Sequence, residues 1–182
     1  DIAELGATQI KAFTTTQLQA LSTTNLNALT TAQTQALQVR QIRALTSSQL
    51  ASLTTSDIGE LSSAQIKSLT STQLRDLTSQ HLNAMTTAQV QALSIPQIKA
   101  LSTAQVKNLR TSDMGEFTVT QIKALTTTQV AALEIADINA LSAGQLQSFI
   151  APQIKVLSLT QLGGFNSTQV NNLTTAQLRA MT

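Results

Sequence analysis

The chain has 182 residues with a net charge of +2, 42% hydrophobic and 11% charged residues, no Cys, Trp or Tyr, and four Phe. No Cys means no disulfide scaffold and no Cys-bound zinc or iron–sulfur centre. So small a charge excess argues against an electrostatic nucleic-acid binder, and no run of roughly 18 apolar residues is present to cross a membrane.

After a five-residue lead-in, Asp1 to Leu5, the chain from Gly6 to Met181 parses into 22 octads without insertion or deletion. TTTQLQAL (Thr14–Leu21), TTAQVQAL (Thr86–Leu93) and STAQVKNL (Ser102–Leu109) are typical units. Position eight is Leu, Phe or Met in all 22, and every Phe (Phe13, Phe117, Phe149, Phe165) falls there. Position five is Leu, Ile, Val or Met in 21, with Thr34 the exception; position four is Gln in 17. Position one is Ser or Thr in 16, and position seven is Ala, Ser or Gly in 16. Position six carries nine of the 11 basic residues: Lys11, Arg43, Lys67, Arg75, Lys99, Lys107, Lys123, Lys155 and Arg179.

A longer rhythm overlies the octad. Asp-Ile/Met-x-Glu recurs at Asp1, Asp57 and Asp113, spaced by 56 residues, or seven octads. Asn25, His81 and Asp137 keep the same spacing of 56, as do Arg40, Pro96 and Pro152. Either duplication of a 56-residue block or a coil that regains its angular setting after seven octads accounts for this.

One long α-helix does not fit an octad. At about 100° per residue, eight residues move the apolar stripe by about 80°, so it winds around the rod. Alternating strands fit no better, since the apolar positions are not two apart. A short helix in each octad does fit. Ser or Thr at position one with Gln at position four is a capping box. Asp at position four suits the positive helix start. Pro96 and Pro152 lie in the first turn, where a missing N–H is harmless. Positions five and eight then share one face, and the small position seven admits a close neighbour. One octad cannot fold alone: burying two apolar side chains gains roughly 3–6 kcal/mol, against roughly 8–16 kcal/mol to order eight residues. Stacked copies supply the rest, as in solenoids.

The expected fold is therefore all-α: an elongated solenoid of short helical turns forming one continuous array over residues 1–182, a segment of a longer repeat region. Leu, Ile, Val and Phe are expected on the axis, with Thr, Gln and Lys facing water. A β-solenoid, favoured by the Thr content, is the alternative.

No catalytic, cofactor-binding or metal-binding residue is expected. His81, the only His, reads as a surface residue at a helix start. Asp57/Glu60 and Asp113/Glu116 place two carboxylates at i and i+3 but have no nucleophile or His beside them; they read as solvated helix starts. The basic residues at position six are dispersed, and aromatic stacking platforms for single-stranded nucleic acid are lacking. Asn166-Ser167-Thr168 matches a glycosylation sequon, yet Asn at position one is also a good N-cap.

TTTQLQAL, TTAQVQAL and TTTQVAAL resemble the TTxQ(I/L/V)xAL octapeptide arrays of very large bacterial surface or secreted, adhesin-like proteins. The resemblance covers nearly the whole chain and carries over no catalytic or binding residue. It implies a bacterial extracellular stalk, spacer or fibre segment that partners itself, head-to-tail or laterally, or adjoins further repeats. An enzyme is not expected; nor is nucleic acid or membrane insertion. A module that holds a protein or peptide on a solenoid face is the alternative. Octads such as QVRQIRAL (Gln38–Leu45) and IAPQIKVL (Ile150–Leu157) lack the Ser/Thr start, so their capping is expected to be impaired.

Overall fold

The computed structural model describes residues 2–181. A short 3-10 helix, Ile2–Glu4, precedes 22 α-helices of five or six residues, one in each octad, from α1 (Ala7–Ala12) to α22 (Thr175–Ala180). Asp1, the first member of the Asp-Ile/Met-x-Glu series, lies outside the described residues. Among them there is no strand, which removes the β-solenoid.

The octad dictates both the helix and its end. Helices this short are not stable alone in water, and each is held by capping at its start and packing along one face. In α9 (Ser71–Asp76), Thr70 Oγ1 accepts the Gln73 N–H at 3.1 Å, and Gln73 Oε1 accepts the Thr70 N–H at 2.9 Å. At the far end the backbone leaves the helix through extended residues. Leu45 has φ −57° and ψ 135°, and Thr46 follows with φ −73° and ψ 159°. No described residue has a positive φ. Helix ends that turn through the left-handed region usually need Gly; here Leu and Thr make the corner, so Gly is not required.

The chain forms two compact units, Asp1–Leu93 and Ser94–Thr182, and each is an all-α solenoid. In the first, α1 packs on α4 (Thr31–Ala36), α2 (Thr15–Gln19) on α5 (Val39–Ala44), and so on by threes. In the second, α12 (Ile95–Ala100) packs on α15 (Val119–Ala124), and α14 (Thr111–Glu116) on α17 (Ile135–Ala140). Positions five and eight form the core: Ile42, Leu50, Ile58, Ile66 and Leu74 are fully enclosed in the first unit, and Ile98, Met114, Ile122 and Ile138 in the second. The Lys and Arg at position six are exposed, as expected.

The Gln residues are not where the pattern placed them. Every position-four residue from Gln33 to Gln177 is buried, including His81, Asp57, Asp113 and Asp137. His81 is thus not a surface residue, and the acids at position four are not solvated. The physical reason lies in what the turn below asks of that position.

Candidate functional site

Gln41 shows the arrangement. Its side chain is completely buried. Oε1 accepts the Gln38 N–H at 2.6 Å, closing the start of its own helix. Nε2 donates to Ile10 O at 2.8 Å and Phe13 O at 3.0 Å, on the octad four earlier. One amide therefore caps a helix with its oxygen and fastens one turn of the coil to the next with its nitrogen.

The pattern recurs in both units. Gln49 donates to Leu18 O and Leu21 O, Gln65 to Thr34 O and Leu37 O, and Gln73 to Arg43 O and Leu45 O. Gln129 donates to Ile98 O and Leu101 O, Gln153 to Leu125 O, and Gln177 to Leu146 O and Phe149 O. The acceptors are the position-eight carbonyl 28 residues back and the position-five carbonyl 31 back. Helices touch by threes while the amides reach back by fours, so a turn of the coil holds between three and four octads.

Position six adds a second, exposed link. Gln19 Nε2 donates to Ala44 O at 2.7 Å, Asn27 Nδ2 to Ser52 O at 2.6 Å, and Gln147 Nε2 to Asn172 O at 3.0 Å. The acceptors sit at position seven, which is small at Ala44 and Ser52 and an amide at Asn172.

Where Gln is replaced, its nitrogen is lost and other groups take over. Asp57 keeps the capping role, accepting the Thr54 N–H and O–H, each at 2.7 Å, but lacks the amide N–H that Gln gives the turn below. In the same octad Glu60 accepts the Thr31 hydroxyl at 2.8 Å from the helix three earlier. His81 Nδ1 accepts the Thr78 N–H at 3.3 Å, capping as Gln would. Arg110 cannot cap; its Nε and Nη2 instead hold both Asp113 oxygens at 3.0 and 2.9 Å. That bond and the Asp113 charge raise the Arg110 pKa. Asp137 accepts the Glu134 N–H at 3.0 Å and the Thr111 hydroxyl at 3.3 Å. Burial pushes its carboxyl up from the ordinary range, those two hydrogen bonds draw it down, and the neighbouring Glu134 charge pushes it up again.

The irregular starts lose only half of their caps. Gln38 and Ile150 offer no side-chain cap, yet Gln153 Oε1 still accepts the Ile150 N–H at 2.9 Å, as Gln41 does for Gln38. Asn166 acts as an N-cap, its Oδ1 accepting the Gln169 N–H at 2.9 Å.

The carboxylates of Asp57, Glu60 and Asp113 thus serve as hydrogen-bond acceptors within and between octads. Among the described residues, no group of three or more His, Asp or Glu is placed to hold a metal ion, and no helix is long and apolar enough to cross a membrane. The ALTTAQ repeat profile matches residues 2–39, 55–87, 68–103, 77–111 and 106–143, together more than half of the chain. The chain belongs to the ALTTAQ repeat family. No curated protein matches it. In this ALTTAQ repeat chain, the family's Gln is the residue that joins successive turns. Sequence reasoning found its capping oxygen and missed its nitrogen.

Proposed function

We propose that this ALTTAQ repeat chain is a structural element of a bacterial surface or secreted protein: a stalk, spacer or fibre segment without enzymatic activity. It associates with copies of itself or with adjoining repeats, not with nucleic acid.

The Gln ladder carries this reading. Its bonds run from turn to turn, along the direction in which a coil would be stretched. Each turn contributes several such amides in parallel, so an axial load is shared among them and the apolar layer beside them. Each Gln–carbonyl bond adds on the order of 1 kcal/mol, and breaking one in a buried layer also strands a polar group. The residues that chemistry would recruit, His81 and the buried Asp side chains, are engaged in the same framework.

Immunogold electron microscopy of the native material tests the proposal. Label on filaments or on projections at the cell surface is expected. Label confined to dispersed globular particles inside the cell overturns it.

A further inference from the structure

The bases at position six are not dispersed once the coil is known. Lys11, Arg43, Lys67, Lys99, Lys123, Lys155 and Arg179 follow one another at steps of 32, 24, 32, 24, 32 and 24 residues, four octads and three in alternation. Those are the two reaches that join turns: four octads for the Gln amide, three for helix packing. In the first unit Gln41 ties α5 to the octad of α1, and α5 packs on α8 (Ser63–Ser68); these helices carry Lys11, Arg43 and Lys67. In the second, α12 packs on α15, and Gln153 of α19 (Ala151–Lys155) donates to Leu125 O in the octad of α15; these helices carry Lys99, Lys123 and Lys155. All six side chains are exposed. Packed helices lie roughly 8–10 Å apart, so each unit presents a row of bases at about that spacing. Counting Arg40, the seven octads of the series carry +8 and hold no Asp or Glu, while the remainder of the chain carries −6. The net charge of +2 conceals this separation.

The same octads differ at position two. Elsewhere that position is Ser or Thr in 12 of 15 octads; in these seven it is apolar in five. Position two precedes position six by one helical turn, so Val39 shares a face with Arg43, Ile95 with Lys99 and Val119 with Lys123. Outside the last three octads, the large apolar side chains left exposed among the described residues are Val39 at 45%, Val119 at 50% and Ile150 at 41%, and all three belong to octads of the basic row.

We infer that in each unit this flank is a docking surface for an anionic lipid bilayer. The Lys and Arg at position six meet headgroup phosphates, and the Val and Ile beside them enter the boundary with the acyl chains. Basic residues interleaved with apolar ones on one exposed face are what such an interface selects. The contact is peripheral, since no described helix is long and apolar enough to cross a membrane. Double-stranded nucleic acid fits the row poorly: it carries a charge about every 1.7 Å of its axis, several times the density of the bases, and has no use for exposed Val.

The test is co-sedimentation of the chain with vesicles of phosphatidylglycerol and phosphatidylcholine in equal parts, and with vesicles of phosphatidylcholine alone. Binding to the first and not the second is expected, weakening as salt is added. Each base near an anionic surface is worth about fivefold in binding, so Lys99→Gln with Lys123→Gln should weaken it about 25-fold. Lys107→Glu reaches the same net charge from an exposed position-six site outside the row, and should cost no more than about threefold. Val39→Ser with Val119→Ser removes two half-exposed side chains and should weaken binding roughly tenfold; Ser stands at position two in other octads, so the fold accepts it, and an unchanged melting midpoint verifies this. The inference is overturned by a chain that ignores the anionic vesicles, by one that binds both kinds alike, or by a Lys107→Glu loss equal to that of the pair. It is overturned too if the Val variant binds the vesicles as wild type does, which would make the row a site for a soluble polyanion. None of these outcomes bears on whether the native material forms filaments or projections, so the proposed function stands or falls separately.

Discussion

Gln41 Nε2 lies 2.8 Å from the carbonyl oxygen of Ile10, 31 residues earlier in the chain, while Oε1 of the same amide caps the helix that Gln41 helps to begin. Glu could do only the second task. Gln41→Glu is therefore expected to destabilise the protein by about 2–4 kcal/mol, since it removes both donor bonds and turns a buried carboxylate toward two carbonyls. Gln17→Glu, at an exposed position, should change the stability of this chain by no more than about 0.5 kcal/mol. Urea denaturation of the two variants side by side measures the contrast.

Asp137 is a Gln position carrying an acid, and restoring Gln should help. Asp137→Gln returns the donor to the octad four earlier and removes a buried charge, with an expected gain of about 1–2 kcal/mol at neutral pH. Burial raises the carboxyl pKa in the fold, so the folded state holds the proton more firmly than the unfolded one. The contribution of Asp137 is then fullest below its unfolded pKa and is lost as pH rises through the raised folded value. The advantage of the Gln variant should shrink as the solution is acidified. Thermal melts from pH 3 to 7 read this.

Position one can be improved where it departs from Ser or Thr. Gln38→Thr supplies the missing hydroxyl and should stabilise by about 0.5–1.5 kcal/mol, whereas Thr70→Ala should lose about 1 kcal/mol. Opposite shifts in the urea midpoint are the expected result.

Core and surface apolar residues should respond very differently. Ile98 is fully buried, and Ile98→Ala should cost about 2–5 kcal/mol. Leu159 is 88% exposed, and Leu159→Ser should stay within about 0.5 kcal/mol. Differential scanning calorimetry separates the two.

The helices, their capping boxes and the two core positions could all be read from the octad, because each is set by contacts within eight residues. The burial of Gln could not be read in the same way, because its partners lie 28 and 31 residues away. A trace was nonetheless present. A capping box accepts Glu as readily as Gln, yet no octad has Glu at position four. Excluding the acid of equal length points to a need for the amide nitrogen. The superperiod also takes on a physical meaning, since 56 is twice the 28-residue span of the Gln–position-eight bond. Gln gives way to Asn25, Asp57, His81, Asp113 and Asp137 at steps of 32, 24, 32 and 24 residues, or four and three octads in alternation. On average that is one substitution per turn, and in the sequence alone it looked like two separate series. His81 was misplaced for a related reason: a polar residue that caps a helix looks solvated until the neighbouring turn is known to cover it.

The corners between helices use only backbone conformations open to every L-amino acid. This has a consequence for inheritance. A crossover or slippage in the gene that adds or removes whole multiples of eight codons joins one octad to another through the same two extended residues. Such a product needs no new glycine and no compensating change at the joint. The array can therefore lengthen and shorten from one generation to the next while each intermediate still folds, which makes length its most freely varied trait.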